Sequence, residues 1–250
     1  MTAYYNEIDR FACDWLSNLM DARLITPGKI DDRSIVDVRP TDIAGYERVH
    51  FFAGIGGWEY AINLAGWRGP VWTGSCPCQP FSLAGKRAGF DDERDLWPVW
   101  FNLIRECRPA SLFGEQVASA TAWLDRVFDD MEAQDFAVAA ADLPAACVGA
   151  RHARPRIWFV AYSQRHEQPR PEPCGWPTGR MGWQQQSLSW DEPWQSALSR
   201  FRALGDGLPR NVGATDAARN AIVPQVAAAF IGAAMTAYSL PSHDYRTQGG

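Results

Sequence analysis

Gly74-Ser75-Cys76-Pro77-Cys78-Gln79-Pro80-Phe81-Ser82 places a thiol directly after a proline, behind the apolar Val71-Trp72 pair and ahead of Gly85-Lys86-Arg87-Ala88-Gly89. A thiol at a strand end, followed by a loop with glycine hinges, suits a nucleophile that a substrate must reach, so Cys78 points to covalent catalysis. Phe113-Gly114-Glu115-Gln116-Val117 carries a carboxyl group at the end of another apolar segment, at the kind of sheet edge where α/β proteins build ligand sites. In Arg151-His152-Ala153-Arg154-Pro155-Arg156 the last two arginines alternate. On an extended chain they project to one side and act together. Phe52-Ala53-Gly54-Ile55-Gly56-Gly57 is a glycine-rich turn that lets a ligand approach backbone amides at a helix N-terminus.

The elements that must position these groups follow from hydrophobic spacing and Gly/Pro punctuation. Strands are expected over residues 3–8, 48–52, 71–74, 110–114, 136–143 and 157–162. Helices are expected over 9–23, from the glycine-rich turn to 66, and over 96–107, 120–133 and 224–238, with Pro224 in a first turn. Alternating strands and helices imply an α/β fold, a doubly wound and mostly parallel sheet. From Ser163 to about Arg200 the pattern stops: prolines 169, 171, 173 and 177 alternate with glycines and with tryptophans 176, 183, 190 and 194. That stretch reads as a small irregular insertion.

The 250 residues, 46% hydrophobic, suffice for one full domain with a small appendage. No apolar run is long enough to span a membrane and no signal peptide opens the chain, so an intracellular, cytoplasmic protein with six reduced cysteines is expected. The Cys76–Cys78 pair has no further ligands at metal-binding spacing, so no metal is expected. The net charge is −5, yet residues 151–219 hold ten arginines against six acidic residues. Arginine is suited to phosphate and guanine, which it grips bidentately.

Together, Pro77-Cys78-Gln79-Pro80-Phe81-Ser82, Glu115-Gln116-Val117, Arg154-x-Arg156 and Asn220-Ala221-Ile222-Val223-Pro224-Gln225-Val226 resemble the motifs of the DNA (cytosine-5)-methyltransferases. The resemblance implies a Rossmann-like methyltransferase sheet using S-adenosyl-L-methionine and releasing S-adenosyl-L-homocysteine. It implies that Cys78 attacks C6 of a flipped cytosine and that Glu115 holds the ring nitrogen and amino group. Arg156 would grip the base oxygen, with Arg154 supporting the geometry. Phe52, Ala53, Gly54, Ile55, Gly56, Gly57 and Trp58, with Pro77, Asn220 and Ala221, would surround the methyl donor. His50, Gln116, His152 and Arg219 depart from the pattern.

One family segment is missing from its usual place, because only a helix and a turn fit between Gly57 and Val71. The section Tyr4-Tyr5-Asn6-Glu7-Ile8-Asp9, a helix, then Pro27-Gly28-Lys29-Ile30-Asp31-Asp32 resembles it, so the ribose- and adenine-binding strands are expected to precede the glycine-rich motif. Glu7 and Ile8 would then meet the ribose, and Asp31 or Asp32 the adenine. Residues 1–162 are expected to form the catalytic domain, 163–203 a target-recognition insertion and 204–250 the return to that domain.

The partner implied is double-stranded DNA, bound by a monomer in a bacterial or phage-infected cell. Gln79, Ser82, Lys86, Arg87, Arg165, Arg170 and Arg180 are the expected DNA contacts. Two alternatives stay open: an RNA (tRNA) cytosine-5 methyltransferase, and a catalytically inactive homologue that binds the donor or DNA.

Overall fold

The computed structural model describes residues 2–77, 95–150, 152–165 and 221–239. Seven strands form one sheet: β1 (Ala3–Asn6), β2 (Gly28–Asp31), β3 (Arg48–Phe51), β4 (Val71–Gly74), β5 (Ser111–Val117), β6 (Phe136–Pro144) and β7 (Pro155–Ser163). Their order is β2-β1-β3-β4-β5-β7-β6. Only β7 runs against its neighbours. The expected mostly parallel sheet is therefore present. β1 pairs with β3 from Ala3↔Arg48 to Asn6↔Phe51, as the rearranged order requires.

Alternation along the strands sends each residue pair to opposite faces. Tyr4, Phe51, Trp72 and Leu112 pack with helices α4 (Trp97–Cys107) and α5 (Thr121–Glu132). The same layer contains Ile43 of the short α2 (Pro40–Ile43) and Ile35 of a 3-10 turn, Ile35–Asp37. The other face takes α1 (Arg10–Asp21) against Tyr5, and α3 (Gly57–Ala65) with α6 (Pro224–Ser239) against Phe113 and Trp158. Sequence spacing missed β2 as a regular strand, the 3-10 turn and α2. Each is too short to show a period.

One crossover differs in hand from the rest. From β1 the chain moves outward to β2 through α1, and every later parallel connection moves the other way across the sheet. The connections into β3, β5 and β6 use the α2, α4 and α5 face, so they share one hand with β1–α1–β2. β3–α3–β4 crosses on the α1 face instead and has the opposite hand. Since parallel crossovers are right-handed in about 98% of cases, this one is left-handed. Were α3 followed by β1, the link would have the common hand.

A buried polar cluster holds α3 on that face. Glu59 of α3, fully buried, pairs with Arg48 and, at 2.9 Å, with His50 Nε2, both on β3. Thr26 donates to the same carboxylate, and His50 Nδ1 meets Thr73 Oγ1 at 2.8 Å. Burial pushes the Glu59 carboxyl up, but the His50 hydrogen bond and charge, with Thr26 and Arg48, override it and hold it at about 2. His50 thus points away from the cavity described next.

Candidate active site

At the carboxyl ends of the parallel strands lies a cavity of about 750 Å³, the crevice position expected in open α/β sheets. Glu7 and Ile8 follow β1, and Phe52, Ala53, Gly54 and Ile55 follow β3; all line it. Gly57 and Trp58 open α3 in the same wall, joined by Pro77 and Ala221. Phe52 adopts φ +51, a left-handed conformation unusual for a bulky residue and often concentrated at functional sites. It lets the turn leave β3 sharply, with the ring standing on Trp100 at 6.0 Å.

The β1–β3 side of the wall is cross-tied. Glu7 accepts from Gly54 N–H at 2.7 Å and from Asp9 N–H at 2.8 Å. Asn6 donates to the carbonyls of Asp31 and Arg33 at 3.1 and 2.8 Å, fixing the turn that brings Arg33, Ser34 and Ile35 to the cavity. Asn6 and that turn were not expected from the sequence. Gly57 has no room for a side chain, since a Cβ would lie 2.7 Å from Ile222 Cγ1.

On the other side, β5 runs three residues beyond its last partner on β4, Gly74↔Gly114, and pairs there with β7 alone. The overhang carries Glu115, 7% exposed, into the cavity wall. Arg156 stands opposite Val117, one diagonal step away on the same face, with its Nε 2.8 Å from Glu115 Oε1. Burial pushes the Glu115 carboxyl up, against the charges of Arg156 and Arg154 and hydrogen bonds from Ser75 and Arg156. The group therefore holds a proton more readily than an exposed glutamate. Gln116 is also buried, and its amide donates to the Cys76 carbonyl at 3.2 Å, fastening the segment that leads to Pro77.

Several expectations need correction. Arg154 and Arg156 do not act side by side: Arg154 has φ +37, which breaks the alternation, and its Nη2 donates 2.7 Å to the Ala221 carbonyl. Gly56 is not in the cavity wall; at φ +79 it faces α1, where a Cβ would lie 3.1 Å from Leu19 Cδ1. Asp31 is absent from the wall as well. Its carboxylate takes Arg33 at 2.6 and 2.9 Å and the Tyr4 hydroxyl at 2.7 Å, and the Arg33 hydrogen bonds hold it well below the usual carboxylate range. Asp32 does not line the cavity either.

Arg165 follows β7 at the opposite edge of the sheet, nine residues or about 30 Å of strand from Arg156. There Arg165 donates to Asp135 at 2.6 Å. Cys78, Gln79, Ser82, Lys86, Arg87, Arg170, Arg180 and Asn220 lie outside the described residues. Cys13, Cys76, Cys107 and Cys147 form no disulfide. Among the described residues no His, Cys, Asp and Glu side chains cluster to hold a metal, and no helix is long and apolar enough to cross a membrane.

The model of the C-5 cytosine-specific DNA methylase family matches residues 69–188, which include the Cys78 motif, Glu115, Arg154 and Arg156. Over that stretch the chain is similar to the C-5 cytosine-specific DNA methylase family. Among relatives, it is 37% identical over 101 residues to the type II methyltransferase M.NgoMIV of Neisseria gonorrhoeae, covering 37% of this chain and 31% of that protein. To M.NaeI of Lentzea aerocolonigenes it is 31% identical over 97 residues, covering 37% of this chain and 24% of that protein.

The chain thus spans less than a third of these methylases. A solved Spodoptera frugiperda DNMT2 variant aligns at TM-score 0.45 and 17% identity, covering 66% of this chain and 44% of that one. The methylase match begins after residue 68. Glu7 and the glycine-rich turn therefore enter the site through the sheet, outside the matched stretch.

Proposed function

We propose that this chain transfers a methyl group from S-adenosylmethionine to C5 of cytosine in duplex DNA. One observation carries the proposal: the Glu115–Arg156 pair and the glycine-rich turn with Glu7 line a single cavity, whose wall continues to Pro77, the residue before Cys78. Its volume lies in the usual range for cofactor sites. The residues present fit the donor. Glu7 offers a carboxylate to ribose hydroxyls, Ile8, Ile35 and Phe52 offer apolar surface, and Gly54 faces open space where a Cβ would meet nothing within 4 Å. Arg154 holds Ala221, and with it the start of α6, against this side.

S-adenosylmethionine supplies an electrophilic sulfonium methyl. The Cys78 thiolate forms a bond to cytosine C6, and the C5–C6 π electrons shift into the ring. Glu115, whose hold on a proton burial strengthens, gives its hydrogen bond to the ring nitrogen that gains density, while Arg156 faces the base oxygen. C5 takes the methyl and then yields its proton to a solvent base as the C6–S bond breaks and releases thiolate. The base must leave the helix first, at a few kcal/mol. Gln79, Ser82, Lys86 and Arg87 are assigned to DNA beside Cys78. Residues 163–203 are assigned to target recognition through Arg170 and Arg180, and Asn220 to closing the donor pocket.

Duplex DNA carrying 5-fluorocytosine, with S-adenosylmethionine, should trap the chain covalently, and Cys78→Ser should abolish the complex. The same substitution in tRNA serves as the second arm. No complex on DNA of mixed sequence would overturn the proposal, and trapping on tRNA alone would move it to RNA.

A further inference from the structure

We infer that Ser75 is a positioning residue that ties the start of α3, and with it the glycine-rich turn, to the Glu115 carboxyl; this rests on the function proposed above. Ser75 directly follows β4 and lines the cavity. The Trp58 indole N–H, which can only donate, reaches Ser75 Oγ at 3.0 Å. That leaves the hydroxyl proton for an acceptor, and Ser75 hydrogen-bonds Glu115. The chain Trp58–Ser75–Glu115–Arg156 therefore crosses the cavity wall from the donor side to the base side.

The hydroxyl has little freedom to be elsewhere. Gly74 before it is wedged under Trp100, where a Cβ would lie 2.5 Å from Cη2. Cys76 after it is held through its carbonyl by Gln116. At the far end Trp58 is 2% exposed and stands edge-on to Trp158 at 5.5 Å, two residues along β7 from Arg156. With one carboxylate oxygen engaged by Arg156 and a neutral donor supplied by Ser75, the Glu115 carboxyl is left a fixed direction for the base. A shift of the glycine-rich turn that moves Trp58 also moves the partner of that hydroxyl. Donor-side geometry is thereby reported to the base-holding group without any direct contact.

The charged groups facing Glu115 are Arg156 from β7 and Arg154 from the segment before it, with Glu7 in the opposite wall. Ser75→Ala leaves all of them in place and removes only the neutral donor, which favours the charged carboxylate. The titration of Glu115 should therefore move to higher pH. The probe is the infrared carboxyl band of the full chain that disappears in Glu115→Gln, followed against pH. Ser75→Ala should raise its midpoint and Ser75→Thr, which keeps a hydroxyl, should restore it.

Single-turnover methyl transfer to duplex DNA should fall about tenfold in Ser75→Ala, the loss expected for one hydrogen bond to a charged group, with its pH profile displaced in the same direction. An unmoved infrared midpoint overturns the inference whatever the activity. A moved midpoint in a chain that never methylates DNA overturns the proposed function and leaves the Ser75 tie standing.

Discussion

Arg156 reaches Glu115 diagonally across the β5–β7 ladder, Nε to Oε1 at 2.8 Å, at the point where β5 has outrun β4. Of β7 only Arg156 lines the cavity. Its position depends on two strands that meet antiparallel at the edge of an otherwise parallel array.

Glu115 should make the protein less stable as pH rises. Its folded carboxyl titrates above the ordinary value of 4.5, so between that pH and the raised value the folded state binds more protons than the unfolded chain. Glu115→Gln should remove that decline and unfold at higher urea than wild type at neutral pH. Arg156→Ala should do the reverse, since it strips the charge that offsets burial. Urea midpoints of the three proteins from pH 4 to 8 check the sign.

Glu59 works the other way. With its folded carboxyl at about 2, it contributes stability above pH 4.5 that is lost as pH falls toward 2. Glu59→Gln should flatten that acid limb. Arg48→Ala should be the more damaging change, by roughly 3–5 kcal/mol, because it leaves a buried carboxylate short of its cation. Thermal melts across the acid range separate the two.

Glu7→Ala should weaken S-adenosylmethionine binding about tenfold, the scale of one lost charge-assisted hydrogen bond, while the melting temperature changes little. Its two ties to Gly54 and Asp9 amides are local to the cavity rim. Calorimetric titration measures the affinity. An unchanged value would remove Glu7 from the donor site.

Arg154→Ala should free the Ala221 carbonyl and loosen the start of α6 against the cavity. Donor affinity should fall, and amide exchange at residues 221–226 should quicken, whereas exchange in β1 and β4 should stay as in wild type. Equal protection at 221–226 would mean that the α6–α3 packing holds this segment unaided.

Gly74→Ala forces a methyl group onto Trp100 at 2.5 Å in a fully buried tryptophan cluster. The cost should be about 1–3 kcal/mol of overpacking, read from urea denaturation. Trapping on 5-fluorocytosine DNA should slow in parallel, since Ser75 and Cys76 are displaced with the strand end.

The elements were legible where their signal is local. The β4 and α4 boundaries came within a residue, because apolar runs closed by Gly, Pro and Cys leave few alternatives. β5 and β7 extend three and two residues farther at the cavity end than sequence spacing predicts, for a long-range reason. Polar Glu115 and Gln116 look like a loop until β7 is known to pair with them. Ser75 sat inside the opening motif with nothing to distinguish its hydroxyl, since its meaning lies in Trp58, 17 positions upstream.

By itself the sequence determined which residues could do the chemistry and that the Glu7 segment precedes the glycine-rich turn, because motif spacing and periodicity are properties of short segments. Tertiary structure alone decided where their side chains go. Arg154 turns to Ala221 while Arg156 takes Glu115, Asp31 is spent on Arg33 and Tyr4, and Arg165 lies at the far edge on Asp135. It also decided the left-handed passage from β3 to β4, since the buried Glu59–Arg48–His50 cluster keeps α3 on the α1 face while the strand that follows lies on the other side of β3. Strand order and overhang fix such choices, and neither is a property of any one stretch of chain.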